Sequence, residues 1–230
     1  MLNFLKEGKG KNTLLLLHGW PGDLSRWDSL VGHLKDKFTI YRLDLPGWGK
    51  TPLSCVYTIT DYANDVGEFI KKYHLKTPVI VGHSFGGRVG VKLAALHPEL
   101  ISKLILVCAA GIERKNLRVR LIKNISPLIP DFVRRLLLPF FGSKDYLQTN
   151  GIKRKTFVNV VSENLEPDLA KIHVSTLLIW GNKDNTTPLW QGKLMNKLIS
   201  HSNLIIIDGG DHGIPYRRAD ETAKLISNFL

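Results

Sequence analysis

Residues 79–91 read VIVGHSFGGRVGV, and they place Ser84 between Gly82 and Gly86. The run before the serine is rich in β-branched residues, as strands are, and the residues after it follow a helical pattern. A strand that turns sharply into a helix strains the backbone of the turn residue and leaves no room for side chains two positions away. The stretch therefore predicts a strand, a sharp turn and a helix, with the serine raised at the turn.

The whole chain alternates between the two patterns seen in this stretch. Short apolar runs predict strands at Thr13–Leu17, Phe38–Leu43, Pro78–Gly82, Ser102–Cys108, Ser175–Trp180 and Asn203–Ile207. Amphipathic segments predict helices at Ser25–Lys35, Thr60–Tyr73, Phe85–His97, Leu189–Ile199 and Ala219–Phe229. Parallel strands need helix-length connections, and these runs are apolar without alternation, so we predict an α/β fold. Its mostly parallel sheet has about six to seven strands, with helices on both faces.

One interval interrupts this alternation. The stretch between the strands that end near Cys108 and begin near Ser175 is too long for an ordinary connection and too apolar for a loop. Apolar residues at four-residue spacing, followed by prolines, indicate a helical insertion that is broken at several points. We therefore predict a core of residues 1–111 and 174–230 with a helical insertion of residues 112–173. A chain of 230 residues accommodates one such domain with a modest insertion.

The formal net charge of the chain is +12, and clustered basic residues can neutralise nucleic-acid phosphates. The clustering is partial, because residues 112–173 carry twelve basic residues against six acidic ones. No nucleic-acid-binding motif accompanies the charge, so a solvated lysine-rich surface is the simpler interpretation. We expect a small-molecule substrate and no nucleic-acid partner, and the sequence leaves a monomer and a homodimer both open.

Neither a membrane span nor a disulfide framework is predicted. No run approaches the ~18 apolar residues of a transmembrane helix. The Leu14–Leu17 run is too short for the core of a signal peptide. Cys55 and Cys108 both adjoin predicted core segments, so we expect two buried thiols in a reducing compartment. These features favour a cytoplasmic protein.

Ser84 lies in Gly-His-Ser-Phe-Gly, which fits the G-x-S-x-G pattern of a nucleophilic serine between a strand and a helix. A serine hydroxyl needs a base, and reactive groups in a parallel sheet gather beyond the carboxyl ends of the strands. Of the eight histidines, His83 adjoins the serine and should point away from it, while His18 and His212 each lie in a loop that follows a predicted strand. The glycines around His212 allow a loop that returns its imidazole over the sheet. We therefore predict His212 as the base.

Three aspartates compete to orient this imidazole. Asp184 lies four residues beyond Trp180, at the carboxyl end of the penultimate predicted strand. Asp211 adjoins His212, and neighbouring residues rarely fold back to bond each other's side chains. Asp208 lies closer to its strand, where it can shape the loop. We predict Asp184 as the carboxylate that fixes the tautomer of the base.

The turn after the first predicted strand has a different role. The segment His18–Gly22, HGWPG, must bring its backbone close to the reaction centre, and the Trp20 N–H can face a developing oxyanion. Phe85 begins the helix after Ser84, so its free N–H supplies a second donor. We predict an oxyanion hole from these two backbone groups, with the His18 side chain bracing the turn.

Together these residues resemble the α/β-hydrolase family over nearly the whole chain. The segments that carry the resemblance are the oxyanion turn His18–Gly22, the next strand-end loop Asp44–Gly49, the nucleophile elbow Gly82–Gly87, the acid loop Trp180–Pro188 and the base loop Gly210–Gly213. The order Ser84, Asp184, His212 is also the order of that family. The resemblance implies that residues 112–173 form a cap. The chain departs from the family near its start, where the usual opening antiparallel strands are shortened to one or lost.

The resemblance implies a serine hydrolase that forms an acyl-enzyme on Ser84. The HGWPG turn is similar to that of epoxide hydrolases, but those enzymes carry an aspartate at the elbow, so serine argues for acyl transfer. We expect hydrolysis of carboxylic esters or lactones of small substrates with apolar acyl groups, without a metal or an organic cofactor. Apolar cap residues would line the acyl pocket, namely Leu121, Ile125, Phe132, Leu136, Phe140 and Phe141.

Other functions stay open at this point. An acyl-homoserine lactonase or a C–C bond hydrolase would use the same three side chains. A hydrolase-like ligand receptor can keep the same residues without catalytic turnover, because one fold hosts many functions.

Overall fold

The computed structural model describes residues 1–112 and 149–230. The strands are β1 (Phe4–Glu7), β2 (Thr13–Leu17), β3 (Thr39–Leu43), β4 (Val79–His83), β5 (Lys103–Val107), β6 (Ser175–Gly181) and β7 (Ser202–Ile207). In the described residues they form a seven-stranded sheet in the order β1-β3-β2-β4-β5-β6-β7. β1 pairs antiparallel with β3, and all other neighbours pair in parallel.

The helices of the described residues connect or flank these strands. They are α1 (Asp28–Leu34), α2 (Ile59–Lys72), α3 (Phe85–Leu96), α4 (Gly151–Ser162), α5 (Glu166–Leu169), α6 (Leu189–Leu198), α7 (Ile214–Arg217) and α8 (Ala219–Phe229). α2 begins at a capping box, in which the Thr58 hydroxyl accepts from the Asp61 N–H and the Asp61 carboxylate accepts from the Thr58 N–H. The short 3-10 helices Leu24–Trp27 and Pro98–Leu100 precede α1 and β5.

The central strands are covered on both faces. Every residue of β4 is buried, and Leu14–Leu17 of β2 are fully buried. Parallel strands between two helix layers need apolar residues at successive positions, because neither face meets water. The unalternating apolar runs of the sequence therefore follow from the position of these strands in the middle of the sheet.

Helices cover the two faces in an order set by the direction of each crossover. The chain moves one way from β2 to β3 and the other way from β3 through β4 to β5. Right-handed crossovers then place α1 on one face and α2 and α3 on the opposite face. In agreement with this, α2 packs against α3, and α1 packs against α8.

The predicted elements agree closely with the structure. All six predicted strands and all five predicted helices are present, with ends within one residue of the predicted bounds when Leu24–Trp27 is counted with α1. The sheet is mostly parallel with seven strands, as predicted. β1 is the single antiparallel strand that precedes the parallel ones in the described chain.

The insertion is described only in part. Residues 113–148 lie outside the described residues, and so do the six apolar residues predicted to line an acyl pocket. The described remainder, residues 149–173, contains α4 and α5. α4 is attached to the core where the Tyr57 N–H donates to the Thr156 hydroxyl at 3.0 Å. A cap over residues 112–173 stays a prediction.

Two further expectations concern the membrane and the cysteines. In the part of the chain that the structure describes, none of the helices has the length and apolar character needed to cross a bilayer. Both cysteines are free thiols, and Cys108 is buried as expected. The expectation was wrong for Cys55, which is exposed, because it lies in the loop between β3 and α2 rather than in a core element.

Candidate functional site

The site begins where the strand order of the sheet reverses. β2 and β4 are neighbours, but the chain leaves β2 toward β3 on one side and leaves β4 toward β5 on the other. Loops that leave adjacent strands in opposite directions open a crevice at the carboxyl edge of the sheet. Ser84 follows β4 and the HGWPG turn follows β2, so both lie at this crevice.

Ser84 occupies a tight elbow between β4 and α3. Its φ of 50° and ψ of −109° lie in a region that residues with a side chain rarely adopt. The Ser84 N–H donates to the Val107 carbonyl at 3.1 Å, and the Ser84 carbonyl accepts from the Ala110 N–H at 3.0 Å. These bonds to the end of β5 and the loop after it hold the strained residue in place.

The glycines of the elbow are required by close backbone contacts. A Cβ at Gly82 would lie 2.5 Å from the Gly86 carbonyl oxygen, and a Cβ at Gly86 would lie 2.0 Å from the Leu17 carbonyl oxygen. No side chain fits at those distances. The prediction that neither position has room for a side chain is confirmed.

The HGWPG turn lies directly against the elbow. A Cβ at Gly19 would be 3.3 Å from the Ser84 Cβ, and the rings of Trp20 and Phe85 meet edge to face at 5.3 Å. Among the described residues, none accepts a hydrogen bond from the backbone N–H of Trp20 or Phe85. Two backbone donors beside the serine are therefore unused within the described residues.

His18 braces this turn, as predicted. Its Nε2 accepts from the Leu45 N–H at 3.0 Å, so Nδ1 carries the proton and donates to the Gly19 carbonyl at 2.9 Å. Burial lowers the pKa of His18, which keeps the ring neutral. Both nitrogens of this imidazole are therefore engaged within the turn.

The loops after β6 and β7 bring the predicted acid and base together. His212 Nδ1 lies 2.8 Å from Asp184 Oδ2, with the Asp184 side chain fully buried and His212 partly exposed. The carboxylate can only accept, so Nδ1 carries the proton and Nε2 is left as the basic nitrogen. Within the described residues, the hydrogen-bond partners of the His212 ring are Asp184 and Thr187, and no hydrogen bond joins this ring to the Ser84 hydroxyl.

Both oxygens of Asp184 are held by the residues that follow it. Oδ1 accepts from the N–H groups of Thr186 and Thr187, each at 2.8 Å, and Oδ2 accepts from the Thr187 hydroxyl at 2.7 Å. Burial alone would raise the pKa of Asp184, but the hydrogen bonds from His212 and Thr187 outweigh it and lower the pKa to about 2. The group is an anion at neutral pH and faces the imidazole as a fixed negative charge.

The competing aspartates are engaged elsewhere. Asp208 Oδ1 accepts from the Asn182 amide at 2.6 Å, which ties together the loops after β6 and β7. Asp211 binds the Arg217 guanidinium at 2.5 Å and the Gly213 N–H at 2.9 Å. Neither carboxylate is bonded to the His212 ring.

Sequence reasoning missed two residues of this region. The Thr187 hydroxyl lies 3.3 Å from His212 Nδ1 in addition to its bond with Asp184. The spacing of an aspartate two and three residues before threonines is a turn signal that could have identified it. Tyr216 lies in α7 and binds the His83 imidazole at 2.8 Å, and no local pattern points to that contact.

The acid and base are also part of a cluster with Cys108. The ligand atoms of Cys108, Asp184 and His212 all lie within 4.8 Å of one another. Burial raises the pKa of the Cys108 thiol, and both Asp184 oxygens are already bonded. A metal ion here would need a thiolate and the loss of those bonds, so the residues fit a proton-transfer pair better than a metal centre.

Comparison with known proteins agrees with this architecture. The sequence profile of the alpha/beta hydrolase family matches residues 14–225. The Uncharacterized hydrolase YugF of Bacillus subtilis (strain 168) is 26% identical over 97% of this chain and 92% of its own length. The human Monoacylglycerol lipase ABHD6 is 28% identical over 96% of this chain and 75% of its own length.

A solved structure extends the comparison to three dimensions. The crystal structure of a membrane phospholipase A, a bacterial virulence factor, superposes with a TM-score of 0.75 at 27% identity. The match covers 99% of this chain and 81% of that one. It therefore includes every strand described above.

Proposed function

Because this chain belongs to the alpha/beta hydrolase family, we propose that it is a serine hydrolase that cleaves carboxylic esters or lactones through an acyl-enzyme on Ser84. One observation carries the proposal. His212 is bonded to Asp184 at 2.8 Å and lies in a loop that contacts the residue before Ser84. A serine at a strained elbow and an imidazole oriented by a carboxylate are the parts that nucleophilic acyl transfer requires.

In the proposed mechanism, the Ser84 oxygen attacks the substrate carbonyl while His212 Nε2 takes the hydroxyl proton. The N–H groups of Trp20 and Phe85 stabilise the oxyanion of the tetrahedral intermediate. His212 then returns the proton to the leaving alcohol, and the acyl group stays on Ser84. Water attacks this ester in the second half, with His212 again as base, and releases the acid.

Asp184 has an electrostatic role in these steps. Each half-reaction places a positive charge on the His212 ring, and the ionised carboxylate at 2.8 Å stabilises that charge. The low pKa of Asp184, about 2, keeps the carboxylate from taking the proton itself. No step requires a metal ion or an organic cofactor.

Aromatic residues beside the elbow favour an apolar acyl group. The Trp20 ring contacts the rings of Trp48 at 4.8 Å, Phe85 at 5.3 Å and Phe157 at 5.2 Å. A surface formed by these aromatic rings binds hydrocarbon and excludes water from the acyl-enzyme. The names of the human relative and of the bacterial phospholipase are those of ester hydrolases, which supports an ester substrate.

A panel of p-nitrophenyl esters of graded chain length, run beside simple and acyl-homoserine lactones, tests the proposal. We expect many turnovers per chain and a loss of about 10³-fold or more in kcat for Ser84→Ala. Ser200→Ala is the matched control, because Ser200 is exposed and lies far along the chain at the end of α6.

Two results would contradict the proposal. If Ser84→Ala hydrolysed every substrate as fast as the parent, Ser84 would not be the nucleophile. If the parent released only about one equivalent of p-nitrophenol and stopped, the chain would be a ligand receptor that retains hydrolase residues.

A further inference from the structure

His83, the residue before Ser84, is buried with both of its ring nitrogens bonded. Its Nε2 lies 2.8 Å from the His212 carbonyl oxygen, and its Nδ1 lies 2.8 Å from the Tyr216 hydroxyl. The centroid of the ring also lies 4.8 Å from that of the His212 ring, at a tilt of 47°, and the ring meets the Tyr216 ring edge to face at 4.9 Å. The side chain at the elbow thus reaches both the base loop and α7.

The chemistry of these atoms determines the direction of each bond. A carbonyl oxygen only accepts, so the His83 ring carries its proton on Nε2 and donates a hydrogen bond from there to the His212 carbonyl. In a neutral imidazole Nδ1 then accepts, and the Tyr216 hydroxyl donates to it. Burial, together with the nearby His212, lowers the pKa of His83 to about 3, and burial raises the pKa of Tyr216. Both groups therefore stay neutral across the working pH range.

We propose that His83 and Tyr216 are positioning residues that hold the backbone of His212 at a defined place beside the nucleophile. The proposal rests on the proposed function, in which His212 is the base for Ser84. His212 is then held at two points, its carbonyl by His83 and its Nδ1 by Asp184. Because His83 is joined to Ser84 by a peptide bond, the position of Nε2 of His212 is defined relative to the serine hydroxyl.

The same pair also contacts the oxyanion turn. The Gly19 backbone acts to lower the pKa of Tyr216 against the larger effect of burial, and a Cβ at Gly19 would lie 2.8 Å from His83 Nδ1. Loops from β2, β4 and β7 therefore meet at two side chains. A misplacement of about 1 Å between reacting groups costs about 10²-fold in rate, so these contacts bear on turnover more than on substrate affinity.

Three variants test the proposal with a p-nitrophenyl ester as substrate. Tyr216→Phe removes the hydroxyl that donates to His83, and we expect kcat to fall about 10-fold with KM changed less than about 2-fold. His83→Leu removes both bonds, and we expect a fall of about 100-fold in kcat. His83→Gln keeps an N–H at the end of a side chain of similar length, and we expect it to recover most of that loss.

Matched controls separate positioning from general destabilisation. Tyr73→Phe and His97→Gln make the same chemical changes at the residues that directly follow α2 and α3, away from the site, and should leave kcat unchanged. In a His212→Ala background, Tyr216→Phe should have no further effect on the residual rate, because the base that it positions is gone. A purely structural role would lower the rate in both backgrounds.

The outcomes distinguish this proposal from the one on which it rests. A phosphonate ester that reacts with activated serines, read by the mass of the Ser84 peptide, reports the nucleophile independently of turnover. If the parent hydrolyses esters and is labelled, but Tyr216→Phe and His83→Leu keep its kcat, the positioning role is wrong and the hydrolase assignment stands. If the parent neither hydrolyses esters nor is labelled, both proposals are overturned. If His83→Leu does not fold, Tyr216→Phe alone decides.

Discussion

The Asp184 carboxylate accepts four hydrogen bonds, from His212, from Thr187 twice and from Thr186. A buried anion is stable only when such donors replace the water that it has lost. Three of the four come from Thr186 and Thr187, within three residues of Asp184, so the loop after β6 supplies most of its own anion-binding geometry. The free energy of this arrangement depends on the charge of the carboxylate, which makes the stability of the fold depend on pH.

We predict that Asp184→Asn lowers the free energy of unfolding by about 2 kcal/mol at pH 7. The folded-state pKa of Asp184, about 2, lies below the ordinary value of 3.8. The stabilisation by the ionised group is therefore complete above about pH 4 and is lost as the pH falls toward 2. Urea denaturation at pH 7 and at pH 3 measures this difference.

The control for that experiment is Asp36→Asn, at an exposed position in the turn after α1. This substitution should change the free energy of unfolding only slightly at both pH values. An Asp184→Asn variant whose deficit is as large at pH 3 as at pH 7 would contradict the electrostatic account.

At the scale of elements, the contact between the elbow and β2 determines how close α3 can come to the sheet. A Cβ at Gly86 would lie 2.0 Å from the Leu17 carbonyl oxygen, whereas a Cβ at Gly32 in α1 would have no heavy atom within 4 Å. We predict that Gly86→Ala lowers the free energy of unfolding by about 3 kcal/mol, because backbone must move. Gly32→Ala should raise it by about 0.5–1 kcal/mol through helix propensity and a less flexible unfolded chain.

Thermal and urea denaturation of the two variants test this pair. Both variants replace a helical glycine by alanine, so helix propensity alone predicts that both raise the free energy of unfolding. Equal stabilisation by both variants would contradict the close contact between residue 86 and the Leu17 carbonyl.

A buried ion pair joins α3, the helix that follows Ser84, to the C-terminal part of the predicted insertion. Lys92 Nζ of α3 lies 2.5 Å from Asp168 and 2.7 Å from Glu163, and the Lys92 and Asp168 side chains are about nine-tenths buried. We predict that Lys92→Met costs about 3 kcal/mol, because it leaves a buried carboxylate without its main partner. Lys71→Met removes an exposed pair with Glu68 and should cost less than about 1 kcal/mol.

Denaturation midpoints of the two lysine variants provide the measurement. Adding Asp168→Asn to Lys92→Met should recover part of the loss, because the unpaired charge is removed. If the double variant were less stable than Lys92→Met alone, the unpaired carboxylate would not be the cause.

At the scale of the whole molecule, the sheet differs in stability from its centre to its edges. β4 and β5 each have strands on both sides and are almost completely buried, whereas β7 is an edge strand with several partly exposed residues. We predict that amide hydrogens of β4 and β5 exchange with deuterium more slowly than those of β7. Hydrogen exchange followed by mass spectrometry checks this, and equal protection of β4 and β7 would contradict it.

Sequence predicted those parts of the molecule that depend on local pattern and on the direction of strands. Asp184 and His212 could be chosen because both follow strands, and the carboxyl ends of parallel strands share one edge. Tyr216 could not be chosen, because its contact with His83 joins residues 133 positions apart and depends on the path of a loop. The exposure of Cys55 likewise depends on how the loop before α2 runs.

At the reversal of strand order, the turn after β2 and the elbow after β4 lie so close that the shape of one constrains the shape of the other. The loops after more distant strands are less tightly coupled to them. The oxyanion turn and the elbow touch through backbone atoms, so a change of shape in either is felt by the other. The loop after β7 meets the elbow through the His83 side chain, which donates to the His212 carbonyl, and the loop after β6 bonds the His212 ring. A designer could therefore vary these two loops around a fixed Asp184 and His212 and leave the paired turns untouched.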